Sequence, residues 1–161
     1  MASRPIDLLI AYRVIKILVT PFNKQPAYKM GIIDDKGKVL KKYRTLTTSG
    51  EKQSYTMLHR FVFNLKRILA KAGIRGALGS FAVATALLLR ENKEYFKYKD
   101  TIESTIITYL KENNLYEEIL NESREIPEVY TDDKFFCNCF GVDVFEKDGE
   151  LKSEFDYAKT L

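Results

Sequence analysis

Thr48-Ser49-Gly50-Glu51-Lys52-Gln53-Ser54-Tyr55-Thr56-Met57-Leu58-His59-Arg60-Phe61-Val62-Phe63-Asn64-Leu65-Lys66-Arg67-Ile68-Leu69-Ala70-Lys71 opens on a capping box, with a hydroxyl at the N-cap and a carboxylate three residues on. Tyr55, Leu58, Val62, Leu65 and Leu69 recur at helical spacing, and Phe61 and Ile68 widen the stripe. The pattern predicts one amphipathic helix from about residue 51 to Lys71, stopped by Ala72-Gly73.

Upstream, Asp7 to Val19 carries Leu8, Tyr12, Ile15 and Val19 at helical spacing, with Arg13 and Lys16 on the wetter side, and Pro21 ends it. Ala27 to Asp34 alternates loosely, Asp35-Lys36-Gly37-Lys38 is a turn, and Val39-Leu40 begins a return strand: a β-hairpin. Downstream, a link containing Gly73, Gly76 and Gly79 leads into an apolar helix over Ser80 to Glu91. Asp100-Thr101-Ile102-Glu103 reads as a second capping box, opening a helix with Ile102, Ile106, Tyr109 and Leu110 on one face. Asn113-Asn114 interrupts it, Leu115 to Ser123 is a short acidic helix, and Pro127 begins an irregular stretch. Gly141 to Phe145 alternates, Asp148-Gly149 is a turn signal, and Leu151 to Phe155 returns. Both hairpin segments share a leading glycine, β-branched residues and an acidic-glycine turn; convergent turn chemistry explains this better than duplication. The expected fold is α+β, a helical core of four to five helices around residues 80–91 with two β-hairpins at its edge.

The chain of 161 residues suits a single domain, and its 45% hydrophobic content suffices for a core. Its +4 net charge conceals a division. The basic half, 1–75, holds 16 Lys and Arg against four Asp and Glu; the acidic half, 76–161, holds 10 against 18. Such asymmetry suits an acidic partner for the first half, or halves that complement each other within or between copies. Residues 6–19 include Asp7, Arg13 and Lys16, and the apolar run 77–89 falls short of the roughly 20 residues a membrane span needs. Neither fits a membrane, no secretory cleavage pattern is evident, and a soluble intracellular protein is expected.

Chemistry has little to build on. One histidine and two cysteines exclude the common four-ligand zinc sets and a disulfide framework. His59 has only Tyr55 as a nucleophile at helical spacing and reads as a boundary residue. Cys137-Asn138-Cys139 puts both thiols on one side if extended, and beside Phe135, Phe136 and Phe140 they read as small buried residues. The pairs Asp34-Asp35, Glu117-Glu118 and Asp132-Asp133 are sequence neighbours, a spacing that does not by itself make an acid–base dyad. No phosphate loop, dinucleotide turn, nucleophile elbow or zinc-protease motif is found. The expectation is a non-enzyme with no cofactor and no metal.

The positive signal is basic. Arg60, Asn64, Arg67 and Lys71 form one helical stripe, flanked by Lys66, and Lys36, Lys38, Lys41, Lys42 and Arg44 crowd the hairpin before it. Together these residues are the candidate interaction surface, for a protein partner or for phosphates.

Three segments, Tyr12-Arg13-Val14-Ile15-Lys16-Ile17-Leu18-Val19-Thr20-Pro21-Phe22, Ala27-Tyr28-Lys29-Met30-Gly31-Ile32-Ile33-Asp34 and Leu58 to Arg67, resemble a family of small, functionally uncharacterised proteins of tailed bacteriophages, encoded near head and virion structural genes. The likeness covers roughly residues 8–90. It implies a structural or head-assembly role, in the virion or the host cytoplasm, through contacts with other phage structural proteins or with further copies of the chain. It supplies no catalytic residues. The alternative is a small basic nucleic-acid-binding protein that touches phosphates through helix 51–71 and the 29–44 hairpin.

Overall fold

In a computed structural model, which describes residues 5–70, 77–123 and 131–158, the chain is α+β and divides into two compact units, Met1–Arg67 and Ile68–Leu161. The 34–38 turn lies in the first unit and the C-terminal sheet in the second, so each β element has its own helical surroundings. The charge division follows this boundary: the first unit holds 14 Lys and Arg against four Asp and Glu, the second 12 against 18.

The first unit begins with α1 (Pro5–Val19). Its inward face is Ile10, Val14, Ile17 and Leu18, whereas Leu8, Tyr12 and Val19, three of the four residues that the spacing suggested as its apolar stripe, are exposed. The helix is apolar on both sides, and the sequence does not say which side the core takes. Its C-terminal carbonyls are satisfied from elsewhere in the chain. Buried Gln25 donates through Nε2 to the carbonyls of Ile17 and Thr20, each at 3.0 Å, and Lys66 Nζ reaches the same two oxygens.

The expected strand over 27–34 is not formed. Pro26 at the first helical position and Gly31 beyond the last enclose one helical turn, α2 (Pro26–Lys29). Gly31 takes φ +74°, and the N–H groups of Gly31 and Ile32 donate back to the carbonyls of Tyr28 and Ala27, a Schellman closure. Ile32 and Ile33 are both buried, which a half-buried strand forbids to neighbours. What remains of the hairpin is a single antiparallel bridge, Ile33 with Val39, around a loop where Asp34 Oδ1 accepts from the N–H of Lys36 and Lys38.

The capping box forms as expected: Thr48 Oγ1 accepts from the Glu51 N–H, and Glu51 Oε1 accepts from the Thr48 N–H. The helix it opens does not run to Lys71. It is α3 (Ser49–Ser54), and Tyr55 leaves helical geometry at φ −139°, ψ 56° before α4 (Met57–Ala70) begins. The break buries the Tyr55 ring against Phe63, stacked at 6.1 Å between centroids, and makes Thr56 the cap of α4. Leu58, Phe61, Val62, Phe63 and Leu65 are the buried face of α4. The predicted stop at Ala72-Gly73 and the residue Lys71 lie outside the described residues, as does the irregular stretch from Pro127 to residue 130.

The second unit is centred on α5 (Ala77–Glu91), the expected apolar helix begun three residues earlier, so that Gly79 lies within it and not in the link before it. A six-residue 3₁₀ turn (Lys93–Tyr98), capped by Asn92, runs directly into α6 (Lys99–Glu112). Asp100 is therefore inside the first turn of α6, and the second capping box is absent. Glu103 instead pairs with Lys99 and accepts from the Phe140 N–H. Ile102, Ile106 and Leu110 form the buried face of α6. Asn114 at φ +58° closes the helix ahead of α7 (Tyr116–Ser123).

Three antiparallel strands pack on α5 in the order β1 (Lys134–Cys139), β2 (Val142–Lys147), β3 (Glu150–Ser153). The turns Phe140-Gly141 and Asp148-Gly149 have positive φ at both residues, the type I′ geometry that matches strand twist. β1 departs from the sequence reading: a bulge between Phe135 and Cys137 breaks its alternation. The return strand is shorter than expected. Ser153 ends it, its N–H donating to Asp156 Oδ2 at 2.9 Å, and Phe155 belongs to α8 (Glu154–Ala158). Gly79 on α5 lets α8 and the end of β3 approach closely, since a Cβ there would stand 2.6 Å from the Phe155 ring and 3.0 Å from Ser153 Oγ.

Candidate interaction surface

Lys36 and Lys38 are exposed within the loop that the single bridge closes, and Lys41, Lys42 and Arg44 are exposed along the segment that follows it. A 3₁₀ turn (Tyr43–Thr45) holds its far end, and Leu46 anchors it in the core. The α4 residues meet this loop. The Arg60 guanidinium lies over the Tyr43 ring, 5.3 Å from its centroid, and Arg67 Nη1 donates to the Gly37 carbonyl at 2.7 Å. Arg60, Asn64 and Arg67 are half-buried, so the stripe on α4 supports the loop more than it faces water. Gly37 permits this closeness, with φ +82° and the Phe22 ring edge 2.5 Å from where its Cβ would stand.

Lys66 is no part of the open surface. It caps α1, lies 4.7 Å from the Phe22 ring centroid, and burial pushes its pKa down. Acids temper the surface at few points. Glu51 stands 3.9 Å from Lys41 and is held below the usual carboxylate range by hydrogen bonds from Thr48. The Asp34 carboxyl is likewise lowered by the backbone N–H of Lys38, so it stays ionised within the loop.

The surface is not purely cationic. Val39 (38% exposed), Leu40 (58%) and Tyr43 (43%) lie among its lysines. A second apolar area, which the sequence reading assigned to the core, runs along α1: Leu8 at 60%, Tyr12 at 62% and Val19 at 58%, with Leu9 at 44%. The signal for it was present as two apolar stripes on one helix, more than a single contact with a core requires.

His59 pairs with Thr56 at the start of α4. Its N–H donates to Thr56 Oγ1 at 3.3 Å, and its Nδ1 lies 2.8 Å from that hydroxyl and 3.4 Å from the Thr56 N–H. This is a reciprocal N-terminal box for α4 with imidazole in place of a carboxylate, and burial, then Arg13, pushes the His59 pKa down. Cys137 and Cys139 are buried side by side on β1. Among the described residues, no group of three or more His, Cys, Asp and Glu is arranged to hold a metal ion, and no helix is long and apolar enough to cross a membrane. No family model matches the chain, and no curated protein or solved structure is significantly similar to it.

Proposed function

We propose that this chain is a non-enzymatic structural or assembly protein that acts through protein–protein contacts, in the tailed-phage setting implied by the likeness over residues 8–90. The observation that carries the reading is the apolar side chains exposed along α1, Leu8, Leu9, Tyr12 and Val19, joined in the same unit by Val39, Leu40 and Tyr43 among lysines. Apolar area of this kind is left uncovered on a soluble surface chiefly where a partner covers it. The lysines and Arg44 beside Val39, Leu40 and Tyr43 favour an acidic partner, which includes the acidic half of another copy.

The 14 cationic against four acidic residues of the first unit favour one rival, a phosphate-binding surface on the same loop. The two readings differ in salt dependence. Duplex binding through phosphates falls linearly in log salt, with a slope of about −0.9 per phosphate contacted. An apolar contact survives high salt. Sedimentation of the chain alone and with phage heads, beside titration of a labelled duplex, decides between them. Self-association or head binding that persists at about 1 M salt, with negligible duplex binding at about 150 mM, is expected. Micromolar duplex binding at about 150 mM salt, lost in Lys38→Ala with Lys41→Ala and Lys42→Ala, would overturn it in favour of nucleic acid.

A further inference from the structure

The two cysteines are placed for more than filling space. Cys137 and Cys139 alternate on β1, and their Sγ atoms face each other at 2.8 Å. Two thiolates sharing a tetrahedral zinc ion would stand about 3.8 Å apart, given Zn–S bonds of about 2.3 Å. The observed approach is closer than that, so the two sulfurs lie in direct contact and are not spread around a shared ion.

We propose that Cys137 and Cys139 form a redox-active dithiol that exchanges with small-molecule disulfides of the glutathione class, closing to an intramolecular disulfide across Asn138. The Cys137 thiolate attacks one sulfur of the small disulfide; the S–S bond breaks and one small thiol leaves, taking up the proton Cys137 lost. Cys139, as thiolate, then attacks Cys137 Sγ in the mixed disulfide and releases the second small thiol, protonated. The chain gives up two electrons and two protons, and the small disulfide is reduced to two thiols.

The roles follow from the surroundings. Cys137 keeps 6% exposure and Cys139 none. Contact with the Cys139 sulfur, together with the Lys99 ammonium, lowers the Cys137 pKa against its burial and the carboxylates of Glu103 and Asp143. Cys139 is pushed up by that same contact and by burial, so it is the resolving thiol. β1 is an edge strand with one strand neighbour, and its cysteine face is covered by α5, so opening the Cys137 sulfur to a small disulfide requires a local parting of β1 from both β2 and α5. Residues two apart in a strand are separated by about 6.6 Å, near the upper end of the Cα spacing that disulfides span. A bond here is strained and therefore readily reduced, as an exchanging disulfide must be.

The test equilibrates the full chain with mixtures of reduced and oxidised glutathione, alkylates it in acid quench, and reads intact and peptide masses. The expected result is loss of two hydrogens with a Cys137–Cys139 cross-link, reversed by dithiothreitol. Cys139→Ser should trap one glutathione on Cys137, at least about tenfold faster than Cys137→Ser traps one on Cys139. Lys99→Gln should move the pH midpoint of Cys137 alkylation upward. Wild-type chain whose thiols both stay free where the denatured chain cross-links would overturn the proposal. So would reaction of both thiols only at the rate of global unfolding, or one zinc per chain released on Cys137→Ser.

Discussion

Residues 31–40 and 141–151 carry the same sequence of features, and their glycines adopt nearly the same backbone. Gly31 and Gly37 have φ of +74° and +82°; Gly141 and Gly149 have +75° and +83°. Yet the second segment builds a ladder and the first a single bridge. The difference lies in what flanks the turns. Around Gly141 and Gly149 the loops are two residues long and join strands whose inward residues, Val142, Val144 and Ser153, meet α5. Around Gly31 the backbone is closing α2, and the loop at Gly37 is held by side chains from elsewhere, Phe22 against it and Arg67 on its carbonyl. The glycines agree in φ, but the residues before them do not: Phe140 and Asp148 take positive φ whereas Met30 stands at φ −92°, so the two-residue type I′ turn forms only in the second segment, and its neighbours then extend the ladder.

The largest expected contrast is between two identical substitutions. Gly149→Ala meets nothing within 4 Å and loses only backbone freedom, about 1–2 kcal/mol. Gly37→Ala carries the same strain and also drives a methyl into the Phe22 ring, which Phe63 backs edge-on at 5.6 Å; about 2–5 kcal/mol is expected in all. Urea denaturation of both variants measures the gap. Equal losses would mean that the Phe22 contact does not hold the loop.

A smaller effect sharpens the same point. Arg67→Met keeps the aliphatic stem but removes the hydrogen bond to the Gly37 carbonyl, at a cost of about 1 kcal/mol. The loss should be nearly absent in the Gly37→Ala background, where the loop has already moved; full additivity of the two changes would separate arginine from loop.

The smallest effect depends on pH. The folded His59 pKa lies below its ordinary 6.5, so the unfolded chain takes up the proton first as pH falls. The stability this neutral imidazole contributes is complete above about pH 6.5 and declines as pH drops through the lowered folded value. Since the chain has one histidine, this slope belongs to the first unit and should vanish in His59→Gln. A wild-type denaturation midpoint that stays flat between pH 7 and pH 5.5 would show that the Thr56–His59 box does not depend on neutral imidazole.

The exposure of Lys36, Lys38, Lys41, Lys42 and Arg44 was legible in the sequence, because so many like charges close together are not buried. The support given by Arg60 and Arg67 was not. Helical spacing reports which residues share a face, and it cannot report that a loop returns across that face. β1 was missed for a related reason, since its bulge interrupts the alternation by which strands are recognised.

What the sequence determined by itself is the chemistry that acts over a few residues. The Thr48–Glu51 box, the Asp148-Gly149 turn, the Pro21 stop and the apolar α5 all stand where side-chain type and spacing put them. Only the tertiary structure decided the break at Tyr55, where burying one aromatic ring outweighs continuing a helix. It also decided which face of α1 is covered, and that Glu103 serves Lys99 and Phe140 instead of an N-cap. Each of these is a competition between partners far apart in the chain, and local periodicity contains only one of the competitors.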